Sequence, residues 1–380
     1  MVDQTAPAPV SRSSAEAGSD TFQDGQIRLI WRRFRRHRLA VVGGIVIALL
    51  YVVVAFAEFF ATSDPNRSTA SLSLVPPQPI HFFDDDGSFR PHVLRLDRRR
   101  DPATLQLVYT PNPSRKVDVA FFTPGFRYSL LGLFETDIHF IGVVGARAED
   151  TLFLLGTDVQ GRDMWSRTVY ATRVSLTIGL LGVAASLVLG VTLGGISGLL
   201  GGRIDEAIQR LIEILRSIPT IPLWMGLAAS LPSHWTSIQL YFAITIIISL
   251  VSWTELARVT RGRFLSLREE DFITAARLDG CGNTRIIVGH MVPSFLSHII
   301  AATTLAFPAM ILSETSLSFL GLGLRPPAIS WGVMLQQAQN VQAIALTPWL
   351  LFPAVPVVLS VLAFNFLGDG LRDAADPYAR

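Results

Sequence analysis

Six apolar runs, each close to the length needed to cross a lipid bilayer, constrain this 380-residue chain more than any other feature. A bilayer core takes about 20 apolar residues of helix. The first run, Leu39 to Ala57, holds no charged residue. The others span approximately Val174–Leu200, Leu211–Leu231, Ile238–Ala257, Phe295–Ser313 and Ala345–Leu367. Composition agrees, because only 16% of residues are charged where a soluble domain carries about 25%. The reading is an all-α polytopic membrane protein of six transmembrane helices. A single cysteine, Cys281, excludes an intrachain disulfide.

Arginine placement orients the spans. The cluster from Trp31 to Arg38 precedes the first run and holds the N-terminus in the cytoplasm. That run exceeds the core of about 7–15 residues in a signal peptide, so it reads as an uncleaved span. The loop between spans four and five carries Arg258, Arg261, Arg263, Arg268, Arg277 and Arg285. On the opposite side, residues 232–237 hold no Lys or Arg, and residues 314–344 hold only Arg325. Both termini are therefore expected in the cytoplasm of a cell whose inner membrane holds the protein. Residues 1–28 read as a disordered tail, 29–61 as the basic segment with span one, 62–150 as an extracytoplasmic insert, and 151–380 as a five-helix core with a cytoplasmic loop at 258–293.

Charges crowd the start of span three, where Glu206 is spaced to pair with Arg210 and Glu213 with Arg216. Ile204, Ile208, Leu211, Leu215 and Ile218 form the opposite face. Span two carries Gly182, Ser186, Gly190, Gly194 and Gly198 at four-residue spacing, which lets another helix approach closely. The stripe serves either packing within the bundle or a dimer face. In the insert, Leu105–Thr110 and Val117–Phe121 alternate as short strands do, giving a small β-containing or mixed domain. Asp84-Asp85-Asp86-Gly87 lacks the alternation of a calcium loop and reads as a solvated turn.

The chain has no P-loop, HExxH motif, metal-ligand cluster or nucleophile elbow, so an enzyme, bound metal or cofactor is not expected. Nothing points to nucleic acid. The informative segment is Ser266–Pro293. Ser266 with Glu269 is spaced as a capping box, opening a helix through Phe272, Ala275, Ala276 and Leu278. Gly280 stands where a left-handed terminator is wanted. Asn283 is placed to cap a second short helix holding Ile286, Ile287 and His290, and Pro293 suits the first turn of span five. Two short helices across the mouth of the bundle result, with Ala275 and Ala276 permitting close approach. The competing reading is an amphipathic loop lying on lipid.

The residues Asp271-Phe-Ile-Thr274-Ala-Ala-Arg-Leu-Asp-Gly280, followed by His290-Met-Val-Pro293, resemble the EAA loop of ABC importer permeases. Four more blocks resemble the second permease of the dipeptide/oligopeptide/nickel group: Trp31–Gly43, Leu155–Arg167, Gly201–Asp205 and Ser316–Gly323. Thr274 stands where the motif has its glutamate, and the insert is longer than the group's usual loop. The resemblance implies a type I importer permease, a second permease as heterodimer partner, two ATPases that hold ATP and Mg, and an extracytoplasmic binding protein. It implies a coupling role for Asp271, Thr274, Ala275, Ala276, Gly280, His290 and Pro293. The cargo it implies is peptide, with oligosaccharide, opine or nickel as alternatives. Asp158, Gly161, Arg162 and Asp163 either dock the binding protein or brace the membrane edge. Glu314 is a candidate gate or cargo contact, or else bonds a neighbouring loop. A secondary transporter would show inverted repeats with broken helices, and a membrane-anchored scaffold would not need the two-helix loop.

Overall fold

The computed structural model describes residues 31–375 apart from 101, 103–106, 146–151, 233 and 340–344; the expected N-terminal tail lies outside the described residues. Helix α1 (Arg38–Ala55) is capped by His37, whose Nδ1 accepts from the backbone N–H of Ala40. A short turn, α2 (Ala57–Phe60), follows. After the insert, α3 (Met164–Leu200) begins at Asp163, whose carboxylate accepts from the N–H of Ser166. At 37 residues and about 1.5 Å per residue, it projects well beyond the hydrocarbon core. Gly201 and Gly202, both at positive φ, end it and turn the chain into α4 (Gly202–Ser217).

Span three is not one straight helix. Helix α4 and α5 (Thr220–Ala229) meet at a bend of 87°. The physical cause is Pro219, which forces Ile218 into an extended conformation (φ −92°, ψ 130°) and ends α4. Among the described residues, five helices are long and apolar enough to cross a membrane, or six if the bent pair counts as one. The pairing expected along α4 also differs. Arg210 bonds Glu213, while Arg216 reaches Glu255 on α6 (Ser237–Leu267), and Asp205 pairs with Arg261 on the same helix. The apolar face that packs is centred on Ile212, flanked by Ile208 and Leu215 against Trp253 and Ala257. Ile204, Leu211 and Ile218 point outward.

The glycine stripe of α3 faces its own chain. A Cβ on Gly190 would meet Leu256, on Gly194 the carbonyl of Ala257 at 2.4 Å, and on Gly198 the carbonyl of Arg261 at 2.8 Å. Gly182 similarly faces Met310. These contacts seat α6 and α8 (Leu296–Phe319) on α3, the intrachain packing that small residues permit. The final helix, α10 (Ala354–Ala375), joins α8 through the stacked rings of Phe307 and Phe364, centroids 4.6 Å apart. It also lies against α1, where Gly43 leaves room for the Ala363 carbonyl. Between α8 and α10, α9 (Trp331–Gln336) buries Trp331 in the same core.

The insert is a four-stranded antiparallel sheet in the order β1 (His81–Phe83), β2 (Phe89–Arg100), β3 (Leu107–Leu130), β4 (Phe134–Val143). The two short strands expected from alternation are parts of one long β3; residues 105 and 106 lie outside the described residues. Pro111 and Pro113 interrupt the sequence pattern without ending the strand: Pro113 falls where the β2–β3 register slips between Leu94 and Arg95, and Pro111 stays in register opposite Leu96. The first half of β3 pairs with β2 and the second with β4. Asp84 and Asp85 both bond Lys116, and Arg90 reaches Asp84 at 3.6 Å. The acidic turn is therefore held by cationic side chains.

Candidate functional site

At the end of the bundle remote from the insert, α6 runs on to Leu267, and α7 (Asp271–Leu278) then begins. Ser266 is thus inside α6, and no capping box forms with Glu269. The N-cap of α7 is Glu270, which makes no side-chain cap bond. The local signal lost because the transmembrane helix continues through it, and the Glu269 carboxylate bonds Arg268 instead. Gly280 behaves as expected. Its φ is +75°, its N–H donates to the Arg277 carbonyl, and the Cys281 N–H donates to the Ala276 carbonyl. This is the six-to-one and five-to-two pattern of a Schellman terminator.

Asn283 does not cap the next helix. Gly282 holds that position, and Asn283 is its first helical residue. Residues 283–294 form one helical run with a π turn at Ile286–Met291. Pro293 supplies the reason: it has no N–H to give, and the Val292 N–H reaches back to Ile287. His290 is half-buried in this turn and Pro293 is exposed.

Helix α7 has two faces. Ile273 and Ala276 are buried in a core shared with Leu199 of α3, Phe264 of α6, and Ile286, Met291 and Phe295. Phe264 and Phe295 meet edge to face, centroids 5.6 Å apart. Asp271, Phe272, Thr274, Ala275 and Leu278 are exposed, Leu278 at 83%. The two alanines expected to act together thus divide: Ala276 packs inward and Ala275 faces out. Because packed interiors transmit displacement, a push on the outer face of α7 reaches the ends of three long helices. Phe264 and Leu199 were missed by sequence reading, since nothing local separates a core contact near a span's end from a lipid-facing one. Gly195 and Gly198 were the available hint, as both are cut away to admit Phe264.

A second constellation lies at the other end. Asp158 is fully buried, and its carboxylate accepts from Nε of Arg162 at 2.7 Å and from the N–H groups of Gln160 and Arg162. Arg167 stands 3.7 Å from it. Gly161 has φ +72°, and a Cβ there would strike the Thr69 carbonyl at 2.1 Å. Asp163, besides capping α3, accepts from the Thr62 hydroxyl at 2.9 Å; burial pushes its carboxyl up against these donors. All four residues sit in one turn that pins residues 62–75 to the start of α3.

Glu314 is elsewhere, on α8. It is fully buried and accepts from Ser175 of α3 at 3.1 Å and from Ser318 at 2.9 Å. Ser175 in turn accepts from the Trp331 N–H, and Ser318 from the Leu324 N–H. The carboxylate therefore centres a network joining α3, α8 and the loop after α8.

The profile of the binding-protein-dependent transport system inner membrane component matches residues 190–380, and that of the N-terminal TM domain of oligopeptide transport permease C matches residues 25–77. The chain is 37% identical over 373 residues to the oligopeptide transport system permease protein OppC of Bacillus subtilis, covering 97% of this chain and 96% of that one. It is 42% identical over 224 residues to the dipeptide transport system permease protein DppC of Alkalihalophilus pseudofirmus, 58% of this chain and 71% of the relative. A solved structure of the MetNI methionine ABC transporter in inward-facing conformations superposes with a TM-score of 0.44 at 18% identity, over 55% of this chain and 96% of that one. The chain belongs to the family of inner-membrane components of binding-protein-dependent transport systems.

Proposed function

We propose that this chain is the permease subunit of an ATP-driven importer of peptides, with six spans in the type I importer arrangement. A second permease completes the pathway, two cytoplasmic ATPases hold ATP and Mg, and an extracytoplasmic binding protein delivers the cargo. The observation that carries the reading is the two-faced α7. Its inner face is packed into the ends of α3, α6 and the segment before α8, and its outer face leaves Phe272, Ala275 and Leu278 without intrachain cover. An apolar stripe of this kind on a charged loop is a seat for another protein. Closure of the ATPases pushes α7, and the shared core converts that push into rigid-body rocking of the spans. The helix is a lever and performs no chemistry.

Peptide as cargo is supported by the names of the relatives and by the extent of the longest match. The alignment to the Bacillus subtilis oligopeptide permease runs over 373 residues, 97% of this chain. In this reading Asp158, Gly161, Arg162 and Asp163 are an internal brace at the membrane edge, and Glu314 is a latch between spans. The arginine bias places α7 and both termini in the cytoplasm.

The test is co-expression with the neighbouring transport genes, purification through a tag on this chain, and uptake of labelled peptides into proteoliposomes. A second permease and two ATPases should co-purify, and uptake should require ATP and the binding protein. Uptake by this chain alone, without ATP, would overturn the proposal.

A further inference from the structure

We infer that the β3–β4 hairpin carries a lipid anchor, its tip seated in the outer leaflet beside span one. The tip reads Leu130-Leu131-Gly132-Leu133-Phe134. Its apolar side chains past Leu130 are largely exposed: Leu131 at 57%, Leu133 at 73% and Phe134 at 69%. An apolar tip on a strand pair is an aggregation hazard in water, and this one is kept at a conformational cost. Leu131 adopts φ +53° beside Gly132 at +71°, within the three-residue loop between the paired Leu130 and Phe134, where a left-handed backbone favours glycine or asparagine. A leucine in a left-handed turn, more than half exposed, points to a requirement for its side chain outside the chain.

Lipid is the occupant because the tip continues a surface that already faces lipid. Helix α1 leaves Leu39, Val42, Ile45, Leu49 and Val52 exposed, the face by which a span meets hydrocarbon. Just past its outer end, on α2, Phe59 meets Phe122 and Phe140, centroids 6.1 and 5.9 Å away, so ring contacts link the end of the span to the hairpin. The hairpin also runs towards the membrane. Phe140 meets Phe60, while His139, one residue nearer the tip, bonds the carbonyl of Glu58 at 3.0 Å, nearer the span. From His139 to Leu133 is about 20 Å of strand at roughly 3.3 Å per residue.

The tip's backbone suits that setting. In hydrocarbon, peptide groups need partners within the protein. The N–H of Leu133 donates to the Leu130 carbonyl at 3.0 Å, and that of Gly132 to the Ser129 carbonyl at 3.4 Å. Glu135 and Asp137 set the depth: they hold the strands above the turn at headgroup level, so only residues 130–134 enter. Such a wedge reaches about 5–10 Å into the boundary region. The tip would steady the insert over the membrane while the spans rock beneath it.

The test uses the full chain in lipid nanodiscs. A Cys281→Ser background allows single nitroxide labels at Leu133→Cys, at Phe134→Cys, and at Ser88→Cys in the β1–β2 turn as an aqueous reference. Collision rates with oxygen, which concentrates in lipid, and with a soluble nickel chelate, which does not, are read by electron paramagnetic resonance. The inference expects a reversal: oxygen dominates at 133 and 134, nickel at 88. Nickel access at 133 and 134 equal to that at 88 would overturn it. Shielding from both reagents would also overturn it and would assign the tip to a protein partner. Two tip positions guard against one label disturbing the turn.

Discussion

Arg261 holds both carboxylate oxygens of Asp205, Nε to Oδ1 and Nη2 to Oδ2, each at 2.6 Å. The pair joins the first turn of α4 to α6 shortly before α7 begins, and the Ser197 hydroxyl of α3 donates to the same carboxylate. Three helices thus meet at one acidic group. Both side chains are partly exposed, so solvent screening discounts the pair. Arg261→Met is expected to cost about 1–2 kcal/mol. Adding Asp205→Asn should cost less than the sum of the two single changes. A double-mutant cycle read by thermal unfolding in detergent checks this, and strict additivity would dissolve the claimed coupling.

The two alanines of α7 should separate on substitution. Ala275→Trp places bulk on the outer face; it is expected to abolish ATP-driven uptake while leaving Tm unchanged. Ala276→Trp pushes into the core around Ile286 and Met291 and should destabilise the chain by about 1–3 kcal/mol. Uptake assays and unfolding curves on both variants decide it. Equal loss of Tm in the two would show that α7 has no free face.

Gly194 and Gly226 offer a matched contrast within helices. A methyl at 194 would meet the Ala257 carbonyl at 2.4 Å, whereas nothing lies within 4 Å at 226. Gly194→Ala should part α3 from α6 and cost about 1–3 kcal/mol. Gly226→Ala should be neutral or stabilising by up to about 1 kcal/mol. Thermal melts of the two single variants suffice.

Glu314→Ala would orphan the hydroxyls of Ser175 and Ser318, each at about 1–3 kcal/mol. Glu314→Gln keeps an acceptor and should retain most of the stability and the uptake. If the glutamine variant folds normally yet stops transport, the charge itself is used in the pathway, and the latch reading fails.

The insert contributes a defined acid response. The hydrogen bond from Lys116 holds the Asp84 carboxyl down at about 2, against an ordinary 3.8. A lowered pKa means that the stabilising contribution is whole above about 3.8 and is lost as pH falls towards 2. Lys116→Met should return the Asp84 midpoint towards 3.8. Carboxyl carbon NMR with labelled aspartate follows that midpoint; an unchanged value would rule out Lys116 as its cause.

Much of the architecture is legible in the chain because its signals are local. Apolar runs of span length mark the long helices, since lipid imposes one requirement on every such run. Gly280 marks the end of α7, because only a residue free of Cβ strain sits comfortably at φ +75°. The glycines of α3 mark close approach without naming the neighbour.

What the sequence by itself determined was therefore where five long apolar helices lie, and the position of α7 and its terminator. Tertiary structure decided the rest. Ser266 carried a cap signal, yet α6 propagates through it to Leu267, because a helix held by packing outweighs one side-chain bond. Arg216 chose Glu255, 39 positions away, over the nearby Glu213, because bending at Pro219 and the seating of α4 on α6 made the distant carboxylate the closer one. Which alanine of α7 faces out was likewise set by the core that Phe264, Ile286 and Met291 build. Periodicity defines two faces of a helix, and only the neighbours in space choose between them.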